Sequence, residues 1–363
     1  MRKLLFVTRG PFYPECAGGA ELSSHFLFQA LCRRGWRVEV LCALSDRASC
    51  LATACFWEIE RRKKSYLVLS DEDLGYTCGR LVAANGGESP WRQCLAERLR
   101  EYRPDCVLGT PNPFCATLCT AAKLGYPSFY IAHNLAVLEI GRRIPDSLYV
   151  IANSPFTASR LSTLVDGEIG IILEMVDRAL YRAPRPSGQY ITFINPIPEK
   201  GVAIAVEVAR RLPEEKFLFV KGKWANIGEA AVSFFLEPAA ALPNVDIWEN
   251  QRDVRSVYAA TTILLLPSQF LETFGRVIVE AHINGIPVVA STVGGIPYTL
   301  GEGGLLIEAK DDAQAYVDAI RRLRTQGGLY QRLSEAALLN SRRPEFDPER
   351  QVEAFVQFVE SRC

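Results

Sequence analysis

Two glutamates separated by seven residues, Glu272 and Glu280, have the side chains best suited to chemistry in this sequence. The apolar run Ile263–Leu266 ends at Pro267, and a loop then leads through Glu272 into a helical pattern that contains Glu280. A carboxylate among apolar neighbours needs partners, and a vicinal diol can donate two hydrogen bonds to it. From these residues alone, a ligand contact and a buried structural salt bridge both remain open for Glu280.

A glycine pair, Gly18-Gly19, follows the first predicted strand and stands where a helix begins. Glycines there let the backbone approach a ligand, and the free amides and dipole of a helix N-terminus favour a phosphate. The sequence has neither the dinucleotide fingerprint nor the P-loop at this position. A plain tight turn explains the pair equally well.

The glutamate segment and three shorter motifs resemble retaining glycosyltransferase family 4, whose members have the GT-B fold. The segment carries the E-x7-E spacing together with Pro267-Ser268, Phe274-Gly275, Gly285–Ser291 and Gly294–Pro297. The shorter motifs are Gly18–Glu21, His133-Asn134 and Glu199–Gly201, so that the resemblance extends over nearly the whole chain.

The resemblance implies roles for the residues of the glutamate segment. Glu280 is expected to hold the ribose hydroxyls of a nucleotide-sugar donor, and Glu272 is expected to lie at the transferred sugar. The amides of Thr273, Phe274 and Gly275 are expected to bind sugar hydroxyls or the adjacent phosphate.

Four further residues receive roles from the same resemblance. Gly18 and Gly19 would close on the diphosphate from the other domain, and His133 would stand beside the sugar near the reacting carbon. Lys200 would neutralise the charge that develops on the departing nucleoside diphosphate, because a fixed cation and helix amides lower that barrier. These groups replace a divalent metal, so neither a metal nor another cofactor is expected.

The sequence departs from the family pattern at two positions. A Gly-Arg pair is usual after the first strand of the second domain, but Asn195-Pro196 stands there, and Tyr298 replaces the acid that commonly closes G-G-x-x-E. Lys221 and Lys223, in a turn after the next strand, are candidates for the missing diphosphate cation, with Arg276 as a further one. Both lysines could equally flank a solvated turn.

Short β-branched or apolar runs alternate with helical patterns along the chain, which is typical of parallel α/β layers. We predict two doubly wound Rossmann-like domains facing each other across a cleft, the GT-B architecture. The predicted divisions are an acceptor-side domain at 1–180, a Pro-rich linker at 181–189, a donor-side domain at 190–345 and a helix at 346–363 that crosses back to the first domain.

Composition excludes several classes of protein. The chain has 363 residues, 48% hydrophobic and 23% charged, and its 41 basic residues balance 41 acidic ones, so no overall field attracts nucleic acid. No apolar run approaches the roughly 20 residues that span a bilayer, and no signal peptide is recognised. The 11 cysteines lack a C-x-x-C pair and are interpreted as buried hydrophobes. We therefore expect a cytoplasmic protein.

Aromatic residues stand beside a basic run in the first domain, at Phe56, Trp57, Arg61, Arg62, Lys63 and Lys64. Such a group can dock on an anionic membrane surface, which would suit a lipid-linked acceptor. An exposed basic flank is the alternative.

We predict a metal-independent, retaining glycosyltransferase that moves a hexose-type sugar from a UDP- or GDP-sugar to a hydroxyl acceptor, whether a small molecule, a glycan or a lipid-linked compound. Because two family positions are changed, a catalytically degenerate sugar-nucleotide binder is a second hypothesis. A nucleotide-sugar epimerase on the same fold is the third.

Overall fold

The computed structural model describes residues 1–44, 50–83, 88–110, 115–184, 188–222, 229–251 and 253–363. Contacts divide the chain into a first unit, Met1–Leu173 with Gln351–Cys363, and a second unit, Glu174–Arg350. The described part of the segment predicted as a linker therefore belongs to the second unit.

The first unit is built on an eight-stranded sheet with the order β3-β4-β2-β1-β5-β6-β7-β8. Only β3 and β4 pair antiparallel among the paired strands of the described chain; the other neighbours in this sheet are parallel. The strands are β1 (Lys3–Val7), β2 (Arg37–Ala43), β3 (Tyr66–Asp71), β4 (Thr77–Ala83), β5 (Cys106–Gly109), β6 (Ser128–Ala132), β7 (Tyr149–Ala152) and β8 (Ile169–Ile171).

Helices connect these strands and cover a core of buried apolar residues that includes Leu5, Val107, Tyr130 and Val150. The helices are α1 (Gly19–Arg33), α2 (Cys50–Arg62), α3 (Glu88–Tyr102), α4 (Ala116–Lys123), α5 (Ala136–Ile140) and α6 (Pro155–Leu161). Helix α6 begins with Pro155 in its first turn, and the side chain of Ser154 accepts a hydrogen bond from the amide of Thr157, which caps the helix.

The second unit contains a six-stranded sheet with the order β11-β10-β9-β12-β13-β14, in which every neighbouring pair is parallel. Its strands are β9 (Tyr190–Ile194), β10 (Lys216–Val220), β11 (Val245–Trp248), β12 (Thr261–Leu266), β13 (Val288–Ser291) and β14 (Gly304–Ile307). Strand β12 lies inside the sheet, and all six of its residues are buried, as expected for a parallel strand covered on both faces.

Helices also cover this second sheet. They are α7 (Arg178–Tyr181), α8 (Val202–Arg211), α9 (Glu229–Ala240), α10 (Arg255–Ala260), α11 (Arg276–Ile283), α12 (Ile296–Leu300), α13 (Ala313–Thr325) and α14 (Leu329–Asn340), with short 3-10 turns at Pro198–Lys200 and Pro344–Phe346. The predicted fold class, two Rossmann-like α/β domains with parallel sheets, is confirmed.

The last helix, α15 (Pro348–Glu360), packs within the first unit. Phe355 is fully buried, with its ring centroid 6.5 Å from that of Trp36, and the ring of Phe358 lies 6.2 Å from Phe129. The side chain of Gln351 accepts a hydrogen bond of 2.7 Å from the amide of Leu173. No helix of the described chain is both long enough and apolar enough to cross a membrane.

Candidate functional site

The carboxyl ends of β9, β12, β13 and β14 lie at one edge of the second sheet, because all these strands are parallel. In doubly wound sheets, ligands bind in the loops that follow the carboxyl ends of the strands. The predicted site residues Lys200 and Glu272 follow β9 and β12 respectively.

Lys200 and Glu272 form an ion pair across 72 residues of sequence, through the lysine Nζ and the carboxylate Oε1. Their side chains are 14% and 8% exposed. Ser268 Oγ donates a hydrogen bond of 2.8 Å to the same carboxylate oxygen, and the ammonium lies 4.7 Å from the centroid of the Phe270 ring. The structure therefore brings together the cation and the carboxylate that the sequence assigned to the leaving group and the sugar.

Two glycines allow the close backbone contacts that shape this site. Gly201 has φ +84°, and a Cβ there would lie 2.0 Å from the carbonyl oxygen of Pro267. Gly294 has φ +62°, and a Cβ there would lie 2.0 Å from the carbonyl oxygen of Glu272. Any larger residue would push the Lys200 turn or the G-G-I-P segment away from the loop that holds Glu272.

The same loop is fastened by Gln269 and Lys310, which sequence reasoning missed. The Gln269 side chain donates to the carbonyls of Pro267 and Lys310 at 2.9 and 3.0 Å, and its amide donates to Glu199 at 2.9 Å. Lys310 Nζ in turn donates to the Gln269 carbonyl at 3.1 Å. Neither residue lies in a recognised motif, so only spatial proximity identifies them.

Glu280 lies in a buried polar cluster on α11. Its Oε1 accepts from Arg276 Nε at 3.2 Å, and its Oε2 accepts from the hydroxyl of Tyr258 at 2.5 Å. Burial and the neighbouring carboxylate raise the pKa of Tyr258, so this hydroxyl stays protonated and donates. The structure thus contains the buried salt bridge that the sequence left open for Glu280. Both oxygens of the Glu280 carboxylate accept hydrogen bonds, one from Arg276 and one from Tyr258.

The interior position of Arg276 differs from its predicted place on a diphosphate. Its guanidinium donates to the Tyr181 hydroxyl at 2.6 Å and to the Met175 carbonyl, besides pairing with Glu280. The Arg276 side chain is only 6% exposed. Its charge is therefore committed to the interior of the second unit.

Lys221 and Lys223 are the other two residues predicted to supply a cation for the diphosphate. Lys221 follows β10 and donates a hydrogen bond of 2.6 Å to Glu249, whose side chain is exposed. Lys223 lies outside the described residues. Lys221 is at the same sheet edge as Lys200, with β9 between β10 and β12 in the sheet.

Thr273, Phe274 and Gly275 lead into α11 as the sequence predicted. Gly275 has φ +86° and precedes the first helical residue, so the N-terminus of α11 directly follows the loop of Glu272. Thr273 and Phe274 are buried, and the Phe274 ring packs edge-on against Phe346 at 5.8 Å. Backbone amides at this helix N-terminus are suited to an anion.

In the first unit, Gly18 and Gly19 stand at the start of α1, and His133 follows β6. His133 Nε2 lies 3.3 Å from Ser24 Oγ, on the second turn of α1, so His133 is adjacent to the helix that the glycines open. The carbonyl of His133 accepts from the side chain of the buried Asn153, which follows β7. These residues occupy the carboxyl edge of the first sheet.

The loop that carries Gly18 is tied down by Arg80, a second residue that sequence reasoning missed. Arg80 lies on β4, and its Nε is 2.5 Å from Glu15 Oε1. It also donates to the Tyr13 carbonyl at 3.2 Å and pairs with Asp71. A buried arginine in a strand is stable only when it is paired, as it is here.

The predicted aromatic and basic group lies at the end of α2 and just after it. Trp57 is 70% exposed, and Arg61 and Arg62 both pair with Glu58. Lys63 and Lys64 are exposed, while the side chain of Phe56 lies outside the described residues. The basic charge is therefore partly offset by a glutamate on the same helix.

Residues 188–326 match the family model of glycosyl transferases group 1, a stretch that contains the ion pair and the Glu280 cluster. This part of the second unit is therefore similar to glycosyl transferases of this group.

Two curated relatives are both D-inositol 3-phosphate glycosyltransferases. The one from Segniliparus rotundus is 27% identical over 253 residues, 56% of this chain and 56% of the relative. The one from Frankia alni is 26% identical over 268 residues, 61% of this chain and 65% of the relative. The matched part thus spans 56% to 65% of the length of these relatives.

Solved structures support the fold over the whole chain. Sucrose-phosphate synthase from Thermosynechococcus elongatus has a TM-score of 0.79 at 17% identity, with 99% of both chains covered. Anabaena HepE in complex with UDP-glucose has a TM-score of 0.72 at 20% identity, covering 99% of this chain and 100% of that one. These neighbours have the GT-B fold, in agreement with the prediction.

Proposed function

We propose that this protein is a glycosyltransferase that uses a nucleotide-sugar donor bound at the carboxyl edge of the second sheet. The observation that carries the proposal is the buried ion pair between Lys200 and Glu272, placed just before the N-terminus of α11. A cation and the backbone amides of a helix N-terminus can stabilise the charge that develops on a departing nucleoside diphosphate, and a neighbouring carboxylate can accept hydrogen bonds from the sugar.

In this proposal, Lys200 and the amides of Thr273 to Gly275 stabilise the negative charge that develops on the leaving diphosphate. Glu272 holds the ammonium close to its working position before the donor arrives, and its carboxylate accepts hydrogen bonds from hydroxyls of the transferred sugar. Glu280 accepts hydrogen bonds from the ribose, since an ionised carboxylate has about four acceptor positions and only two are used by Arg276 and Tyr258.

The finer features of the reaction are proposed from the resemblance to family 4. They are retention of the anomeric configuration, a hexose-type sugar, no metal, and contacts of His133, Gly18 and Gly19 with the donor. A UDP or GDP donor is proposed, and the complexes of HepE with UDP-glucose and with UDP support the uridine form. The cytoplasmic location predicted from the sequence stays a prediction.

The proposed acceptor is a hydroxyl compound. The two relatives are named for D-inositol 3-phosphate, a polyol phosphate, which supports a polyhydroxylated acceptor for this chain as well. Transfer to free inositol 3-phosphate, compared with transfer to a glycan or a lipid-linked acceptor, would distinguish the acceptor classes.

A peripheral membrane contact is proposed through α2, supported by the exposed indole of Trp57 and the adjacent Lys63 and Lys64. Sedimentation with anionic and with neutral vesicles tests it. Binding to the anionic vesicles alone, reduced by Trp57→Ala, supports the contact, whereas equal recovery in the supernatant with both would contradict it.

The arginine that is usual after the first strand of the second domain is absent from this sequence. A separate proposal is that Lys221 or Lys223 supplies the positive charge that the diphosphate needs. The affinity for a nucleoside diphosphate should be compared among Lys200→Ala, Lys221→Ala and Lys223→Ala at low and moderate salt. Because Lys221 pairs with Glu249, Glu249→Gln is the matched control and should leave or strengthen binding if Lys221 contacts the diphosphate. Weakening by Lys200→Ala alone would contradict compensation by these lysines.

A screen of nucleoside diphosphates and nucleotide sugars by thermal shift is the first test of the donor. A ligand that binds only the folded state adds about 2.7 kcal/mol of stability at a hundred times its dissociation constant. The alternatives predict different products: a degenerate binder shows the shift without releasing diphosphate, and an epimerase returns the nucleotide with an altered sugar. No shift with any of these ligands would contradict the proposal.

A further inference from the structure

Tyr258 and Arg276 lie behind Glu280 and have no role in the motif that identifies the donor site. Tyr258 is on α10 and Arg276 is on α11, four residues before Glu280, so the cluster joins two helices. All three side chains are buried. The carboxylate is therefore held from one side by a neutral donor and from the other by a cation.

The contacts fix both the position and the rotation of the carboxylate. Arg276 Nε is 3.2 Å from Oε1, and the Tyr258 hydroxyl is 2.5 Å from Oε2. Arg276 is itself held by the Tyr181 hydroxyl at 2.6 Å and by the Met175 carbonyl. A planar guanidinium with this many partners has little freedom to turn, so it cannot release Glu280 without leaving buried donors unsatisfied.

We infer that Tyr258 and Arg276 are positioning residues that hold the Glu280 carboxylate in the orientation needed to accept the two ribose hydroxyls of the donor. This inference rests on the proposed function, because it deepens the role of Glu280. Neither residue contacts the donor: each acts through Glu280. A purely structural salt bridge would stabilise the fold but would not distinguish ligands by their ribose hydroxyls.

The test is a double-mutant cycle. The Tyr258 hydroxyl is removed from the protein, and the two ribose hydroxyls are removed from the ligand. Binding of uridine diphosphate and of 2′,3′-dideoxyuridine diphosphate is measured by titration calorimetry for the wild-type protein, Tyr258→Phe, Glu280→Gln and Tyr330→Phe. Guanosine diphosphate and 2′,3′-dideoxyguanosine diphosphate are measured in parallel. Tyr330→Phe is the matched control, since the Tyr330 hydroxyl donates to the Thr262 carbonyl in the same unit, 3.1 Å away.

Tyr258→Phe should weaken uridine or guanosine diphosphate binding by about three- to tenfold, as expected for one hydrogen bond lost behind the carboxylate. Its effect on the dideoxy ligand should be less than about twofold, because a cycle isolates the coupling of the two groups. Tyr330→Phe should leave both affinities unchanged. If Tyr258→Phe does not fold, Tyr181→Phe takes its place, because it removes a hydroxyl that holds Arg276. It should show the same loss of affinity for the diphosphate that carries ribose hydroxyls.

An equal loss of affinity for both ligands in Tyr258→Phe, or no loss for either, would overturn the positioning role. If no nucleoside diphosphate binds the wild-type protein, the proposed function fails, and with it the inference. If wild-type binds and Glu280→Gln shows the ribose-dependent loss but Tyr258→Phe does not, only the inference fails.

Discussion

The ammonium of Lys200 contacts the carboxylate of Glu272 although 72 residues separate them in sequence. The 3-10 turn that carries Lys200 follows β9, and the loop that carries Glu272 follows β12, which is paired with β9. Gly201 permits this approach because a side chain there would collide with the carbonyl of Pro267. The pairing places a cation and a carboxylate together at the sheet edge where a donor is proposed to bind.

Replacement of Glu272 and of Glu280 by glutamine should have different effects on ligand binding. Glu280→Gln should weaken nucleoside diphosphates and nucleotide sugars alike, by about ten- to a hundredfold, since hydrogen bonds to a charged group contribute roughly 1.5–3 kcal/mol. Glu272→Gln should spare the nucleoside diphosphate and reduce binding or turnover of the intact donor. Calorimetric titration with both ligands tests the division, and equal losses of diphosphate affinity would contradict it.

Helix α15 should contribute strongly to the stability of the first unit. Phe355→Ala should lower the free energy of unfolding by about 3–5 kcal/mol, because it leaves a cavity beside Trp36. Phe234→Ala is the matched control, since that ring is 66% exposed and should change stability by less than about 0.5 kcal/mol. Deletion of Pro348 to Cys363 should reduce both stability and solubility. Denaturant titration that finds wild-type stability for Phe355→Ala would exclude this packing.

Arg80 should be important for the stability of the first unit, because its buried guanidinium pairs with Glu15 and Asp71. Arg80→Ala should lower the free energy of unfolding by about 3 kcal/mol, because Glu15 and Asp71 would lose a buried partner. Arg61→Ala removes an arginine that is 68% exposed and should change stability much less, because an exposed ion pair is screened by solvent. Thermal unfolding of both variants is the measurement, and equal small effects would contradict the role of Arg80 in holding the loop.

His282 should make stability fall as the pH is lowered. Burial lowers the pKa of His282 to about 3, and its Nδ1 faces the Asn340 amide donor while Nε2 lies 3.1 Å from the Gly303 carbonyl, an arrangement that fits the neutral ring. Below its ordinary pKa of 6.5, the unfolded histidine takes up a proton that the folded one does not.

Between about pH 6 and pH 4, this single group should reduce the free energy of unfolding by roughly 1.4 kcal/mol per pH unit. Denaturant unfolding of wild-type and His282→Gln across this range is the measurement. The variant should be less stable at neutral pH but should have a shallower slope, and identical slopes would contradict the neutral buried state.

The fold was predictable because its strands are short β-branched or apolar runs with helical patterns between them. Strand β4 is not recognisable from the sequence, because Gly79 and Arg80 interrupt its apolar pattern. Gly79 is needed where the strand approaches Val68 of β3, since a Cβ would lie 2.9 Å from that side chain. Arg80 is buried together with partners on other elements, Asp71 on β3 and Glu15 and Tyr13 in the loop after β1, and the pattern of β4 itself does not reveal them.

The resemblance to family 4 identifies the motif residues of the candidate site, whose roles stay predictions, but it does not identify their partners. The pairing of Lys200 with Glu272 depends on the order of β9 and β12 in the sheet, which the sequence does not state. Arg276 was a further candidate for the diphosphate cation because it lies on the donor-site helix. Its side chain instead turns inward toward Tyr181 and Met175, residues about a hundred positions earlier in the chain.

Release of nucleoside diphosphate from a panel of UDP- and GDP-sugars, in the presence of a metal chelator, tests the central claim most directly. Wild-type protein should release diphosphate from one of these donors, and Glu272→Gln should lose this activity while it still binds the free diphosphate. Binding of a nucleotide sugar by the wild-type protein without release, with and without candidate acceptors, would contradict a glycosyltransferase and favour a binding protein.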